Sequence, residues 1–145
     1  MKKILMLHGV NHNLFGQRNP QQYGQITLDA INQSIQELAN ALNIEVESFQ
    51  TNHEGEMVEK IHQAFQDKVD AIAINAGAWT HYSYAIRDAL EIIEVPIIEV
   101  HMSNIHAREP FRQVSVFTDI VSGQISGLGL NSYLLAIRAL SDLIH

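Results

Sequence analysis

The stretch Val69-Asp70-Ala71-Ile72-Ala73-Ile74 is almost unbroken in its apolar character, and its reading decides the fold. A strand with one wet face alternates apolar and polar side chains, whereas a short apolar run marks a strand covered on both faces. Covered strands belong to parallel sheets clothed in helices, so helical patterns should lie on either side. Before the run, Met57, Val58, Ile61, Ala64 and Phe65 recur at helical spacing. After it, residues 83–93 give another helix, with Tyr84, Ala85, Ala89 and Ile92 on its inner side.

The same alternation extends outward. Residues 4–7 read as a first strand, followed by a polar Gly/Asn/Gln/Pro segment over 8–25. A connection of that length is usually functional or disordered. Ile31, Ile35, Leu38, Ala39 and Leu42 place a helix over 28–42, with Thr27 as its N-cap. Strands follow at 46–49 and, opened by Pro96, at 96–100. A polar stretch over 101–113 leads to a weaker fifth strand within 121–126. Leu130, Tyr133, Leu134, Ile137, Leu140 and Ile144 make a C-terminal helix. Strand–helix alternation predicts an α/β fold: a flavodoxin-like, doubly wound, five-stranded parallel sheet of order 2-1-3-4-5 with helices on both faces. Residues 1–145 read as one domain, with no repeat, low-complexity segment or linker.

Composition narrows the function. The 145 residues are 46% apolar and 17% charged, as in a globular domain. Nine Lys and Arg against 16 Asp and Glu give a net charge of −7, with no basic block, which argues against nucleic acid or an anionic membrane as partner. Absence of Cys removes disulfides, Cys-based zinc sites, iron–sulfur clusters and a thiolate nucleophile. No apolar run approaches the ~18 residues of a membrane span. The apolar stretch after Met1-Lys2-Lys3 is too short for a signal peptide, and His8 ends it without a cleavage site. The expected compartment is the cytoplasm.

Ligands of open parallel sheets bind beyond the carboxyl ends of the strands. Strand one ends in His8-Gly9-Val10-Asn11-His12-Asn13 and strand three in Asn75-Ala76-Gly77-Ala78-Trp79-Thr80-His81. Strand four ends in Glu99-Val100-His101-Met102-Ser103-Asn104. In the expected order these strands are neighbours, so three amide- and imidazole-rich clusters meet in one crevice. Glu99, His101 and Ser103 share a strand face. A carboxylate beside an imidazole fixes its tautomer and favours its protonated form, which makes His101 a candidate general acid. Arg18 and Tyr23 lie in the long first loop, and a guanidinium lowers the pKa of a nearby phenol. Spacing alone leaves them as ordinary loop residues. Gly127-Leu128-Gly129 lacks a full phosphate-binding pattern and reads as packing at a helix start. Trp79 and Phe111 read as pocket wall or core. The acidic stretch 54–59 reads as a solvated helix start. Among eight histidines there is no HExxH pair; His53, His62 and His145 read as surface residues, and no metal site is expected.

These clusters resemble type II 3-dehydroquinate dehydratase, the type II dehydroquinases, essentially end to end. The family's opening Asn-Gly-Pro-Asn-Leu-Asn loop, Gly-x-Arg-Glu-Pro and Tyr-Gly appear here from His8 to Pro20 and at Tyr23-Gly24. Asn75-Ala76-Gly77, Thr80-His81 and Ile86-Arg87-Asp88 match a second block. The third block contains Glu99-Val100-His101-Met102-Ser103-Asn104-Ile105-His106-Ala107-Arg108-Glu109 with Phe111-Arg112, and the Gly127-Leu128-Gly129 turn precedes Tyr133-Leu134-Leu135-Ala136.

The resemblance implies a hydro-lyase, free of metal and cofactor. It would eliminate water anti from 3-dehydroquinate through an enolate, giving 3-dehydroshikimate in the third step of the shikimate pathway to chorismate and aromatic amino acids. By resemblance, Tyr23 is the base and Arg18 keeps it ionised. Asn11 helps stabilise the enolate, and His101, oriented by Glu99, protonates the leaving hydroxyl. Met102 and Ser103 hold the substrate carboxylate. Asn75, His81 and Arg112 bind ring hydroxyls. Asp88 reaches in from a neighbouring subunit of a homododecamer built from trimers.

The alternatives are a catalytically impaired binder of a related cyclic hydroxy acid, a histidine-rich metal hydrolase, and a flavin-binding flavodoxin. The last is disfavoured because the first loop lacks a Ser/Thr-rich phosphate cradle. This chain departs from the family pattern at His8 (Asn), Val10 (Pro), His12 (Leu) and Asn19 (Glu). Val10 gives up the preset backbone angle of proline. None of these removes an implied catalytic position. The expected result is an active enzyme whose rate or pH dependence is altered. Overlapping pH–rate curves for the unaltered protein and His12→Leu would remove His12 from that account.

Overall fold

The computed structural model describes residues 1–17, 21 and 25–145. Five strands, β1 (Lys3–His8), β2 (Glu45–Gln50), β3 (Ala71–Asn75), β4 (Ile97–His101) and β5 (Gly123–Ser126), form a parallel sheet of order β2-β1-β3-β4-β5. Among the described residues, four helices of eight or more residues connect or follow them: α1 (Leu28–Leu42), α2 (Glu54–Asp67), α3 (Tyr84–Glu91) and α4 (Leu130–Leu143). This is the topology expected from the alternation of patterns. The polar stretch after β4 folds into two short 3-10 turns, Ile105–Ala107 and Pro110–Arg112.

Period-two side-chain alternation splits the core into two layers. Ile4 and Met6 of β1, with Ala71 and Ala73 of β3, pack with Ile31 and Ile35 of α1 and Tyr133 and Ile137 of α4. Leu5 and Leu7, with Ile72 and Ile74, pack on the other side with Met57 and Ile61 of α2 and Ile86 and Leu90 of α3. Both faces of β3 are therefore dry. Thr27 caps α1 by accepting the Ala30 N–H at 3.2 Å, and Ser83 caps α3 by accepting that of Ile86 at 3.1 Å.

Two expectations need correction. The inner face of α3 is Ile86, Ala89 and Leu90; Tyr84, Ala85 and Ile92 are exposed. The helix has only eight residues, too few repeats for apolar spacing alone to set its phase. The acidic start of α2 is not simply solvated. Glu54 accepts a hydrogen bond from the Ser83 hydroxyl at 2.5 Å, and Glu56 accepts one from Thr51 at 2.5 Å. These carboxylates tie the start of α2 to the start of α3 and the end of β2.

The ends of β1 and β3 touch through backbone. Gly9 N–H donates to the Asn75 carbonyl at 2.8 Å. A Cβ at Gly9 would lie 2.2 Å from the Ala76 carbonyl oxygen, and backbone cannot move aside cheaply. Gly9→Ala is expected to cost about 2–3 kcal/mol and to lower Tm by roughly 5–10 °C. Calorimetry or urea titration would check it.

Candidate functional site

The sheet register brings the three polar clusters together. His8 at the end of β1 lies between Gln50 of β2 and Asn75 of β3, and Ile74 pairs with Glu99 of β4. Asn75 is buried and held at both ends of its amide. It donates through Nδ2 to the Tyr133 hydroxyl at 2.8 Å and accepts the Gly77 N–H at 3.2 Å. Tyr133 is fully buried on α4, and burial pushes its phenol above the usual range. After β3, the 3-10 turn Gly77–His81 buries Trp79 and Thr80 and leaves His81 half-buried. His81 Nδ1 lies 2.8 Å from the Val114 carbonyl; it donates there, which leaves Nε2 unprotonated in the neutral ring. Burial holds His81 below its ordinary value, despite that backbone bond.

Glu99 and His101 alternate along β4, and both are buried. Their Oε2–Nε2 distance is 2.5 Å. The second oxygen of Glu99 accepts from Ser115 at 2.9 Å and Thr118 at 3.0 Å, and Gln124 donates to Oε2 at 3.1 Å. Burial works to raise the Glu99 pKa, but the bonds from His101, Ser115 and Thr118 outweigh it and hold the carboxyl below its ordinary 4.5. With Nε2 engaged by the carboxylate, Nδ1 is the imidazole nitrogen left for a ligand.

Two cavities share Met102, Ser103 and Arg108. The smaller, about 30 Å³, also draws on Asn75, His81, His101 and Arg112. The larger, about 560 Å³, opens toward Gln21, Gln25 and the Gly127–Gly129 turn. That volume suits a small-molecule ligand. Gly127 N–H donates to the His101 carbonyl at 3.2 Å and Gly129 N–H to that of Met102 at 3.0 Å. The two glycines therefore lace the start of α4 to the end of β4, in agreement with a packing role. Arg112 is half-buried, bound to Glu109 at 3.0 Å and lying 4.6 Å from the centre of the exposed Phe111 ring.

The structure thus gathers Asn75, His81, His101, Met102, Ser103 and Arg112 around one crevice, with Glu99 behind His101. Asn11 and Asp88 are exposed and line neither of these cavities. Arg18 and Tyr23 lie outside the described residues. His53, His62 and His145 are exposed, as expected, and Trp79 belongs to the core. Among the described residues, no three His, Asp or Glu side chains form a metal-binding group, and no helix is long and apolar enough to cross a membrane.

Several supporting residues escaped sequence reasoning. Asn11 has a left-handed backbone, φ 68°, and its N–H donates to Asn52 Oδ1 at 2.8 Å. Gln50 bridges the Gly9 carbonyl and Asn52 Oδ1, both at 3.1 Å. The partners of Glu99 were also missed. Gln124 pairs with Glu99 across the sheet and could have been found from strand register. Ser115 and Thr118 lie in irregular chain and carry no pattern.

His8 is fully buried, with Nε2 2.8 Å from Asn32 Oδ1. Nδ1 has no hydrogen-bond partner among the described residues. Burial pushes His8 down from 6.5 to about 4, against the smaller effect of the Asn32 bond. The folded protein therefore holds it neutral, and only the unfolded chain binds its proton as the pH falls below 6.5. Its contribution to stability is intact above pH 6.5 and is lost between there and about 4, by up to about 3 kcal/mol. His8→Asn should flatten this part of the stability curve, read as urea midpoints at pH 7 and 4.5.

The family described as "Dehydroquinase class II" matches residues 2–141. A 3-dehydroquinate dehydratase of Leptothrix cholodnii is 59% identical over 142 residues, covering 98% of this chain and 95% of that protein. The crystal structure of a type II dehydroquinase from Butyrivibrio crossotus superposes with a TM-score of 0.94 at 46% identity, covering 96% of this chain and 97% of that one. The type II dehydroquinase from Propionibacterium acnes gives 0.95 at 45% identity, covering 98% and 97%.

Proposed function

Because the chain belongs to the class II dehydroquinase family, we propose that it is a 3-dehydroquinate dehydratase, a hydro-lyase converting 3-dehydroquinate to 3-dehydroshikimate. The observation that carries the reading is the buried Glu99–His101 pair at the mouth of a crevice shared with Asn75, His81, Ser103 and Arg112. Such a pair can hand a proton to a leaving hydroxyl, while amide, imidazole, hydroxyl and guanidinium groups orient a polyhydroxylated carboxylate.

The route begins with Tyr23, kept ionised by Arg18, taking the proton from the carbon beside the ketone. The C–H electron pair forms a ring C=C and the carbonyl pair moves to oxygen, giving an enolate helped by Asn11. The enolate then collapses, the C–O bond breaks, and His101 protonates the departing hydroxyl so that water leaves. Met102 and Ser103 take the substrate carboxylate, and Asn75, His81 and Arg112 take its hydroxyls. Glu99 is a positioning residue that acts through His101.

The exposed place of Asp88 on α3 fits a residue supplied to the crevice of another subunit. In this reading residues 1–145 act as one catalytic domain. Twelve copies assemble from trimers in the cytoplasm, where the enzyme serves the third step of the shikimate pathway.

The decisive assay follows the conjugated enone of 3-dehydroshikimate by absorbance. Turnover by the unaltered protein is expected, also after exhaustive chelation. His101→Ala should lower kcat by about 10²–10⁴-fold, and Tyr23→Phe should remove most activity. A folded but silent protein that binds product would overturn the catalytic reading in favour of a binder. Sedimentation would check for a particle of twelve chains.

A further inference from the structure

The edge strand β5 carries two polar residues that this route does not use. Register sets Gln124 beside Glu99 and Ser126 beside His101, and residues two apart on a strand share a face. The Glu99–His101 pair of β4 therefore has a polar pair next to it on the same face of the sheet.

The hydrogen bonds among these groups run in one direction. Thr118 has a single hydroxyl proton and donates it to Glu99 Oε1 at 3.0 Å, so toward Gln124 it accepts. The Gln124 amide nitrogen supplies that bond at 3.2 Å and gives its other proton to Glu99 Oε2 at 3.1 Å. Turned over, the amide would set its oxygen against the carboxylate, acceptor against acceptor. The Gln124 oxygen instead accepts the Ser126 hydroxyl at 3.2 Å. Ser115 donates to Oε1 at 2.9 Å, while its own oxygen accepts the Phe117 N–H at 3.1 Å.

The two oxygens of Glu99 thus face different parts of the chain. Oε1 takes hydroxyls from the irregular segment before β5, and Oε2 takes His101 and Gln124. The last torsion of a glutamate has a broad preference, so the chain itself does not fix the carboxylate plane. Gln124 spans the two sides, bonding Oε2 directly and Oε1 through Thr118. That plane sets the direction of the bond to His101 Nε2, and with it the direction in which Nδ1 points.

We propose that Gln124 is a further positioning residue: it locks the plane of the Glu99 carboxylate and so aims the His101 ring at the leaving hydroxyl. The inference rests on the dehydration reading above. Gln124 lines neither cavity of the site, which fits a residue that acts through another. A proton donor must be aligned when the C–O bond breaks, whereas other residues hold the substrate's carboxylate and hydroxyls. Loss of Gln124 should therefore be felt in turnover and not in substrate binding.

Gln124→Met keeps the length of the side chain and removes both donations. On 3-dehydroquinate it should lower kcat by about tenfold and leave KM within about twofold. In a Glu99→Ala enzyme the same substitution should change kcat by less than about threefold, because the carboxylate it acts on is gone. Equal losses in the two backgrounds would show a merely structural role and overturn the inference. A Gln124→Met enzyme with kcat within about twofold of the unaltered protein overturns it too, with the dehydration reading intact. An inactive unaltered protein overturns the reading, and the inference falls with it. If either variant fails to fold, Thr118→Val decides. It removes the bond that orients the Gln124 amide and should lower kcat with KM spared; an unchanged kcat overturns the proposal.

Discussion

The buried carboxylate of Glu99 sets the terms for the rest of the site. It is 1% exposed in a strand interior, and removing such a charge from water costs several kcal/mol unless polar partners offset it. Four partners do so, drawn from different parts of the chain: His101 from β4, Ser115 and Thr118 from the segment after the 3-10 turns, and Gln124 from β5. The segment carrying the two hydroxyls is itself anchored by Arg87 of α3, which binds Asp119 at 2.5 Å and the Val116 carbonyl at 2.7 Å. An irregular stretch thus acquires a defined place because it satisfies a charge in the sheet. The charge in turn settles which imidazole nitrogen of His101 is spoken for.

The same logic runs along the strand ends. Asn75 could rotate freely if only its backbone were fixed. Tyr133, from α4 on the same face of the sheet, and the Gly77 N–H leave its amide one orientation. Asn11 would be costly in its left-handed conformation without Asn52 and Gln50 to hold its turn. Groups offered to a ligand are each backed by a group that is not, which is how an open sheet edge becomes rigid enough for chemistry.

This division explains what could be read from sequence. The dry faces of β3 and the helical spacing of α1, α2 and α4 follow from burial alone, so strand order and the meeting of clusters at Asn75, His101 and Ser103 were legible. The phase of α3 was not, because eight residues hold too few repeats. The backing groups were harder still. Tyr133 reads as core from its spacing, and nothing in that spacing reveals that its hydroxyl meets an amide from β3. Ser115, Thr118, Gln50 and Asn52 act through contacts distant in sequence, set by register and loop geometry. The roles proposed for Arg18 and Tyr23 rest on motif resemblance alone, since spacing in a polar loop does not distinguish a base from a surface phenol.

Three of this chain's departures, His8, Val10 and His12, form a connected set. His8 is buried neutral beneath the turn, on Asn32. His12 lies above it, 6.5 Å away between ring centres, and is held by the Gly9 N–H between them. That N–H serves two acceptors, the Asn75 carbonyl at 2.8 Å and His12 Nδ1 at 3.0 Å. A proline at position 10 would constrain the turn through its own ring. With Val10 in that place, the imidazole at 12 ties the turn back to Gly9 instead. The imidazole at 8 introduces no buried charge, because burial disfavours its charged form, and the imidazole at 12 bonds through Nδ1 to the Gly9 N–H. A loop that loses a rigid residue can therefore keep its shape, provided that one of the polar groups brought in bonds to the backbone it must hold.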